Sequence, residues 1–324
     1  MSTFAAPASV ETVVRGLLGG IDVDGGPTDE QLDVLGAFAT YVFVRPDLDP
    51  RALAPLGAEQ TAAQLADDAA ARRHFHWLHM ALEACRHPQS AGQVAAVEAY
   101  AAALGVESAD LALYRALIRD GAVKAAADYK RFAMKMVPMR GERALADNPP
   151  PVDEPDPQLT AMLESFSALP DDSLGRAYLD FYERFQLTLP GVEATLLNSF
   201  FLAHDMTHVI AGIDTSAQGE VALGAFQMAM DDNDVNVSAM ISSFIIHEAG
   251  FGTPTTIAEA QHDVLLRPGA IDLLGQEIAR GAACSSDFAL VDHIALAPLP
   301  LEEVRARYGV RPPVDPGDGH HFAW

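Results

Sequence analysis

The stretch NSFFLAHDMTHVIAGIDTSAQGE, residues Asn198–Glu220, governs how the rest of the chain is read. It holds no helix breaker before Gly212, so the spacing predicts a helix ending at about Ala211. A helix turns about 100° per residue, so residues four apart lie about 40° apart around its axis. His204 and His208 are then stacked neighbours, and Asp205, three before His208, lies beside it. Asp214, Thr215 or Ser216 can cap a second helix with Glu220 in its first turn. An antiparallel return of that helix would carry Glu220 toward the two imidazoles. Two histidines and one or two carboxylates form a ligand set for a divalent ion with one position left open. Asp205 has a second reading, as the group that orients a histidine ring. The competing account makes His204 and His208 hydrogen-bonded core residues and Asp205 a chance neighbour.

Beyond this stretch the chain reads as all-α. Alanine is abundant and strand-forming residues are sparse across its 324 residues, a length that suggests two domains. The clearest boundary is ADNPPPVDEPDPQLT, from Ala146 to Thr160, whose prolines stop helices and whose acids keep it solvated. It separates a helical domain over 1–145 from one over 159–313, with residues 314–324 as a tail. In the first half, GGPTDEQLDVLGAFATYVF and HPQSAGQVAAVEAYAAALGV repeat one design: a polar turn, then apolar residues at helical spacing.

Half the chain is apolar, which excludes a disordered protein. A formal charge of -24 would repel phosphates and argues against nucleic-acid binding. Two cysteines, Cys85 and Cys284, are too few for a disulfide framework and point to a reducing, cytoplasmic setting. No apolar run approaches the roughly 20 residues needed to span a bilayer. The only lysines, Lys124, Lys130 and Lys135, fall in one segment, where Lys124, Arg131 and Lys135 share a helix face. That basic face suits an anionic membrane surface or an acidic partner, or is simply solvated.

The spacing H-D-x-x-H-x11-E is that of the ubiquinone-biosynthesis family of the fourth COQ protein, which residues 165–312 resemble. LPDDSLGRAYLDFYERFQL from Leu169, GEVALGAFQMAM from Gly219 and LPLEEVRARYGV from Leu299 look like that family's other segments. The resemblance implies a helical, membrane-peripheral protein with His204, Asp205, His208 and Glu220 as metal ligands. Zinc is the expected ion, with cobalt, manganese or iron as alternatives. It also implies a hydrophobic or prenylated substrate: an aromatic acid or quinone precursor losing its C1 carboxylate with coupled hydroxylation. A biosynthetic complex or a homo-oligomer would be the assembly. Two other functions stay open: a non-catalytic lipid or prenyl-quinone scaffold with a structural metal, and a metal hydrolase of HD type. Residues 8–120 loosely resemble the tellurite-resistance protein B (TerB)-like helical domains, through Asp22, Asp24 and Glu30 of IDVDGGPTDEQ. A solvated turn is the plainer reading of those acids.

Two more residues are catalytic candidates. His247 of SSFIIHEAGF either lines the pocket or is a satisfied core histidine. Arg176 either pairs with a substrate carboxylate or serves its own helix, beside Asp180. DDNDVN, from Asp231, lacks the glycine and closing glutamate of a calcium loop and reads as a turn before a helix capped by Asp234 or Asn236. The tail with His320, His321, Phe322 and Trp324 is expected to be mobile, its alternative being a fold-back over a pocket.

Overall fold

The computed structural model describes residues 9–88, 90–106, 139–231, 233–250 and 263–324. Among these residues there is no strand, only two isolated bridges, and the fold is all-α. In chain order the helices are α1 (Val10–Ile21), α2 (Asp29–Ala37), α3 (Ala58–Gln64), α4 (Ala69–Ala84) and α5 (Ala91–Leu104). Then come α6 (Pro157–Glu164), α7 (Leu174–Phe185), α8 (Asn198–Ala211), α9 (Ala217–Met230), α10 (Asp234–Ser243), α11 (Ala270–Ala282), α12 (His293–Leu296) and α13 (Leu301–Tyr308). No helix of the described residues is long and apolar enough to cross a membrane.

Two compact units form: Met1–Lys130 with Glu220–Ala282, and Arg131–Gly219 with Ala283–Trp324. The division is therefore not a sequential one at the Pro-rich stretch, which lies inside the second unit. Packing explains the difference. Within the first unit α10 and the π-helical turn Phe244–Glu248 lie on α4, and α11 lies on α2 and the π-helical turn Phe38–Val42. Their apolar faces need those helices, and burial outweighs sequence order. The basic face of Lys124, Arg131 and Lys135 lies outside the described residues.

In the first unit α1 buries Val10, Val13, Val14, Leu17, Leu18 and Ile21, one stripe at helical spacing. The acidic turn after it is built around a guanidinium. Arg86 Nη2 donates to the carbonyls of Ile21, Val23 and Gly26 at 3.3, 3.0 and 2.7 Å. A capping box then starts α2: Gln31 N donates to Thr28 Oγ1 and Thr28 N donates to Gln31 Oε1, both at 3.1 Å. The second copy of the design holds as well, with Ser90 capping α5 and left-handed Gly105 ending it. Asn233, rather than Asp234 or Asn236, caps α10, because its Oδ1 accepts from both Val235 N and Asn236 N.

Glu30, in the first turn of α2, is only 5% exposed. Burial, then a hydrogen bond and charge repulsion from Glu248, with Asp263 and Asp33 adding to it, push its carboxyl up to about 9. His87 faces it from the α4–α5 connection at 3.9 Å. The folded chain thus keeps a proton that the unfolded chain releases near pH 4.5, so Glu30's contribution to stability falls as pH rises from there toward about 9. In buffer with EDTA, urea unfolding midpoints of the wild type should decline over that window, and Glu30→Gln should flatten the decline. An equal slope in both proteins would refute the assignment.

The second unit is closed by its own distant ends. Leu174 N donates to Leu299 O, Gly175 N to Ala297 O and Leu301 N to Asp172 O, each at 2.8 Å. These bonds join the segment Leu169–Leu187 to residues 297–301. Gly175 permits the approach, since a Cβ there would lie 3.2 Å from the Ala297 carbonyl and 2.6 Å from Leu169 Cδ1. α8 packs on α7 and α13 and ends at Gly212, whose φ of +68° is a left-handed value. The mobile-tail expectation fails. Phe322 N donates to Gly212 O at 3.0 Å and Asp214 N to His320 O at 2.8 Å. Phe322 packs against Phe181 and Phe185, and Trp324 lies under the Arg305 guanidinium at 3.7 Å. Two aromatic rings and a cation–π contact offset the entropy of ordering so short a tail.

Candidate metal centre

α8 places its two histidines as the four-residue spacing predicts. His204 Nε2 and His208 Nε2 are 3.2 Å apart, with the rings edge to face at 87°. His208 is fully buried, and its Nδ1 lies 3.0 Å from the Ile213 carbonyl, an acceptor supplied by the turn at Gly212. An Nδ1–H donating there leaves Nε2 with its lone pair. His204 is partly exposed. Each ring lies against a phenylalanine: Phe200 stacks on His204 at 5.1 Å and 13°, and Phe181 on His208 at 5.7 Å and 29°. Arg140 covers Phe200 at 4.9 Å. The imidazoles are thus held by aromatic faces on both sides.

This pair fits a metal. Two nitrogens each about 2.0–2.1 Å from a tetrahedral ion are roughly 3.3 Å apart. Convergence of two Nε2 atoms at 3.2 Å meets that requirement without rearrangement. Without an ion, His204 Nε2–H donates to the His208 lone pair across the same 3.2 Å, and an ion would take the place of that proton.

Asp205 is engaged elsewhere. Its Oδ2 accepts a hydrogen bond from the Tyr182 hydroxyl, and both side chains are buried. Burial, followed by the Asp205 charge, pushes the Tyr182 phenol well above its ordinary range, so it stays a donor. Tyr178 is pushed the same way for the same first reason. Asp205 therefore anchors α8 to α7. Glu220 stands in the first turn of α9, which starts in the second unit where Gly219 N donates to Ser216 Oγ at 3.1 Å; from Glu220 onward the chain belongs to the first unit.

The two catalytic candidates have structural surroundings. Arg176 Nη1 donates to the Ser167 carbonyl at 3.0 Å and its Nε lies 3.8 Å from Asp171, not Asp180. His247 is buried in the π-helical turn Phe244–Glu248 of the first unit. Sequence reasoning passed over Phe181, Tyr182 and Phe200. A signal for the first two existed: Tyr178, Phe181, Tyr182 and Phe185 recur at i, i+3, i+4 and i+7, an aromatic stripe on one face of α7.

No family model matches the chain, and no curated protein matches it. A solved structure named "Putative ubiquinone biosynthesis protein", from Nostoc punctiforme PCC 73102, is similar at 19% identity with a TM-score of 0.37. The alignment covers 63% of this chain and 97% of that one.

Proposed function

We propose that His204, His208 and Glu220 hold one divalent ion, zinc first among zinc, cobalt, manganese and iron, in a metal-dependent enzyme. Its substrate class would be an aromatic acid or quinone precursor bearing an apolar chain, with loss of the ring carboxylate as the reaction. The main support for this reading is the convergence of the two Nε2 atoms at 3.2 Å on one helix. The spacing to Glu220 supports it further, because a carboxylate one turn into the following helix completes a three-ligand set with an open position. When bound, the ion supplies Lewis-acid polarisation of substrate oxygens.

The chain's own residues have separate tasks. The Ile213 carbonyl fixes the His208 ring through Nδ1. Phe200 and Phe181 keep water from the outer faces of the imidazoles. Tyr182 pins Asp205 and so sets the rotation of α8 about its axis.

The test is elemental analysis of the purified wild type beside His208→Ala and Glu220→Ala. A wild type that carries about one ion per chain more than either variant, with the helical circular dichroism kept in all three, is the expected result. Equal metal in all three, or none in the wild type after divalent salts are added, would sink the enzyme reading. A metal-free protein that still binds prenylated quinones would then favour a non-catalytic scaffold.

A further inference from the structure

A second convergence of ligand-type side chains lies wholly inside the first unit. Four parts of that unit supply it: Glu30 from α2, Cys85 and His87 from the connection that leaves the C-terminus of α4, Glu248 from the π-helical turn, and Asp263. Ligand atoms of Glu30, Cys85 and Glu248 lie within 4.8 Å of one another, as do those of His87, Glu248 and Asp263. Glu248 is common to both groups and fully buried, as is Cys85.

The hydrogen bonds give this cluster a direction. His87 Nδ1 lies 3.2 Å from Asp263 Oδ1, so an Nδ1–H donated there turns the lone pair to Nε2. That Nε2 stands 2.7 Å from Glu248 Oε1 and 3.9 Å from Glu30 Oε2. Glu248 Oε2 is already satisfied by Leu265 N at 2.7 Å. One imidazole nitrogen and two carboxylates thus face one another. A carboxylate orienting a histidine whose other nitrogen points at anionic oxygens is the arrangement found behind metal-bound histidines.

A purely internal ion-pair cluster would satisfy its own oxygens, because an unbonded buried carboxylate oxygen is costly. Glu30 breaks that pattern. Its side chain is 5% exposed, yet Oε1, unlike the oxygen that faces Glu248, has no hydrogen-bond partner among the described residues. An open cavity of roughly 510 Å³, lined among others by Asp33, Tyr41, Leu265, Arg267 and Asp272, borders the cluster at Glu30. The site therefore has donors, an orphaned ligand atom and open space beside that atom's residue.

We propose that the first unit binds one divalent transition-metal ion of the zinc, cobalt and iron class through Glu30, Cys85 and Glu248, with His87, held by Asp263, closing on Glu248 from the other side. A sulfur donor favours that class over magnesium or calcium, which take oxygen ligands. The ion takes the place of the proton shared between the facing acids, and Cys85 loses its thiol proton on binding. π-Helical turns such as Phe244–Glu248 are frequent at functional sites, since the inserted residue redirects a side chain. This site shares no residue with the His204–His208 centre and does not depend on it.

Cobalt(II) is the probe, titrated into metal-stripped His204→Ala/His208→Ala protein so that the other centre cannot contribute. One cobalt per chain with a sulfur-to-cobalt charge-transfer absorption is expected. Glu30→Gln should weaken that binding at least tenfold, and Cys85→Ser should abolish the absorption. Should the double histidine variant fail to fold, Glu30→Gln in the wild-type background, shown helical by circular dichroism, should lose one ion per chain while His208-dependent metal persists. No cobalt bound, cobalt bound without the sulfur absorption, or affinity unchanged in Glu30→Gln and Glu248→Gln would each overturn the proposal.

Discussion

Arg305→Ala should lower the unfolding free energy of the second unit by about 3–5 kcal/mol, the cost of stripping a buried charged hub from its partners. Arg305 is 1% exposed. Its Nε donates to Ile210 O at 3.1 Å and its Nη2 to Val209 O at 3.2 Å, two carbonyls in the last turn of α8. Its Nη1 donates to Ala323 O at 2.6 Å and to Glu302 Oε1 at 2.8 Å. Helix-terminal carbonyls have no intrahelical donor, so the guanidinium caps α8 and clamps the tail at once. The alanine variant leaves those carbonyls buried and unbonded, opens a cavity and removes the cation over Trp324. Urea unfolding measures the loss, and carboxypeptidase should release Trp324 and Phe322 much faster from the variant. Arg305→Lys keeps the charge without the planar fork and should fall between the two. A loss under about 1 kcal/mol, or an unchanged tail, would refute the clamp.

Glu142→Ala should cost a comparable amount, about 3–5 kcal/mol, through a different failure. Glu142 is 1% exposed, and its Oε2 lies 2.8 Å from His293 Nδ1. Oε1 accepts from His293 N and Ala144 N, both at 3.1 Å. Its own N–H donates to Ser199 O at 2.9 Å, in the first turn of α8. One carboxylate thus satisfies three donors and holds α12, while the backbone N–H of the same residue bonds the start of the histidine-bearing helix. His293 Nε2 faces the Phe288 carbonyl at 2.9 Å, so the ring cannot turn to find a replacement acceptor. Alanine strands those donors in a dry interior. Glu142→Gln retains one acceptor and the volume, and should lose roughly half as much. Urea unfolding with far-ultraviolet detection separates the cases, and an alanine variant within about 1 kcal/mol of wild type would contradict this account.

Both residues escaped sequence reading for one reason. Arg305 sits in LEEVRARY, where it resembles a solvated helix cation, and Glu142 sits in RGER beside the Pro-rich stretch. Nothing local says that either is buried. The partners of Arg305 lie 95 and 96 positions away, and His293 lies 151 from Glu142. The tail was misjudged alike: its Pro and Gly content describes an unattached chain, while Phe181, Phe185 and Arg305 supply the attachment.

Rotation per residue and the chemistry of a neighbour or two were enough to make several features legible in the sequence. These are the all-α class, the pairing of His204 with His208 and the stop at Gly212. Each depends on backbone geometry within one or two turns. Which buried polar groups meet was settled only by the folded chain. Folding sent Asp205 to Tyr182, returned residues 220–282 to the first unit, and set Glu30 beside Glu248 across more than two hundred positions. A buried polar group takes the partner that packing delivers, and packing is governed by apolar faces distant along the chain.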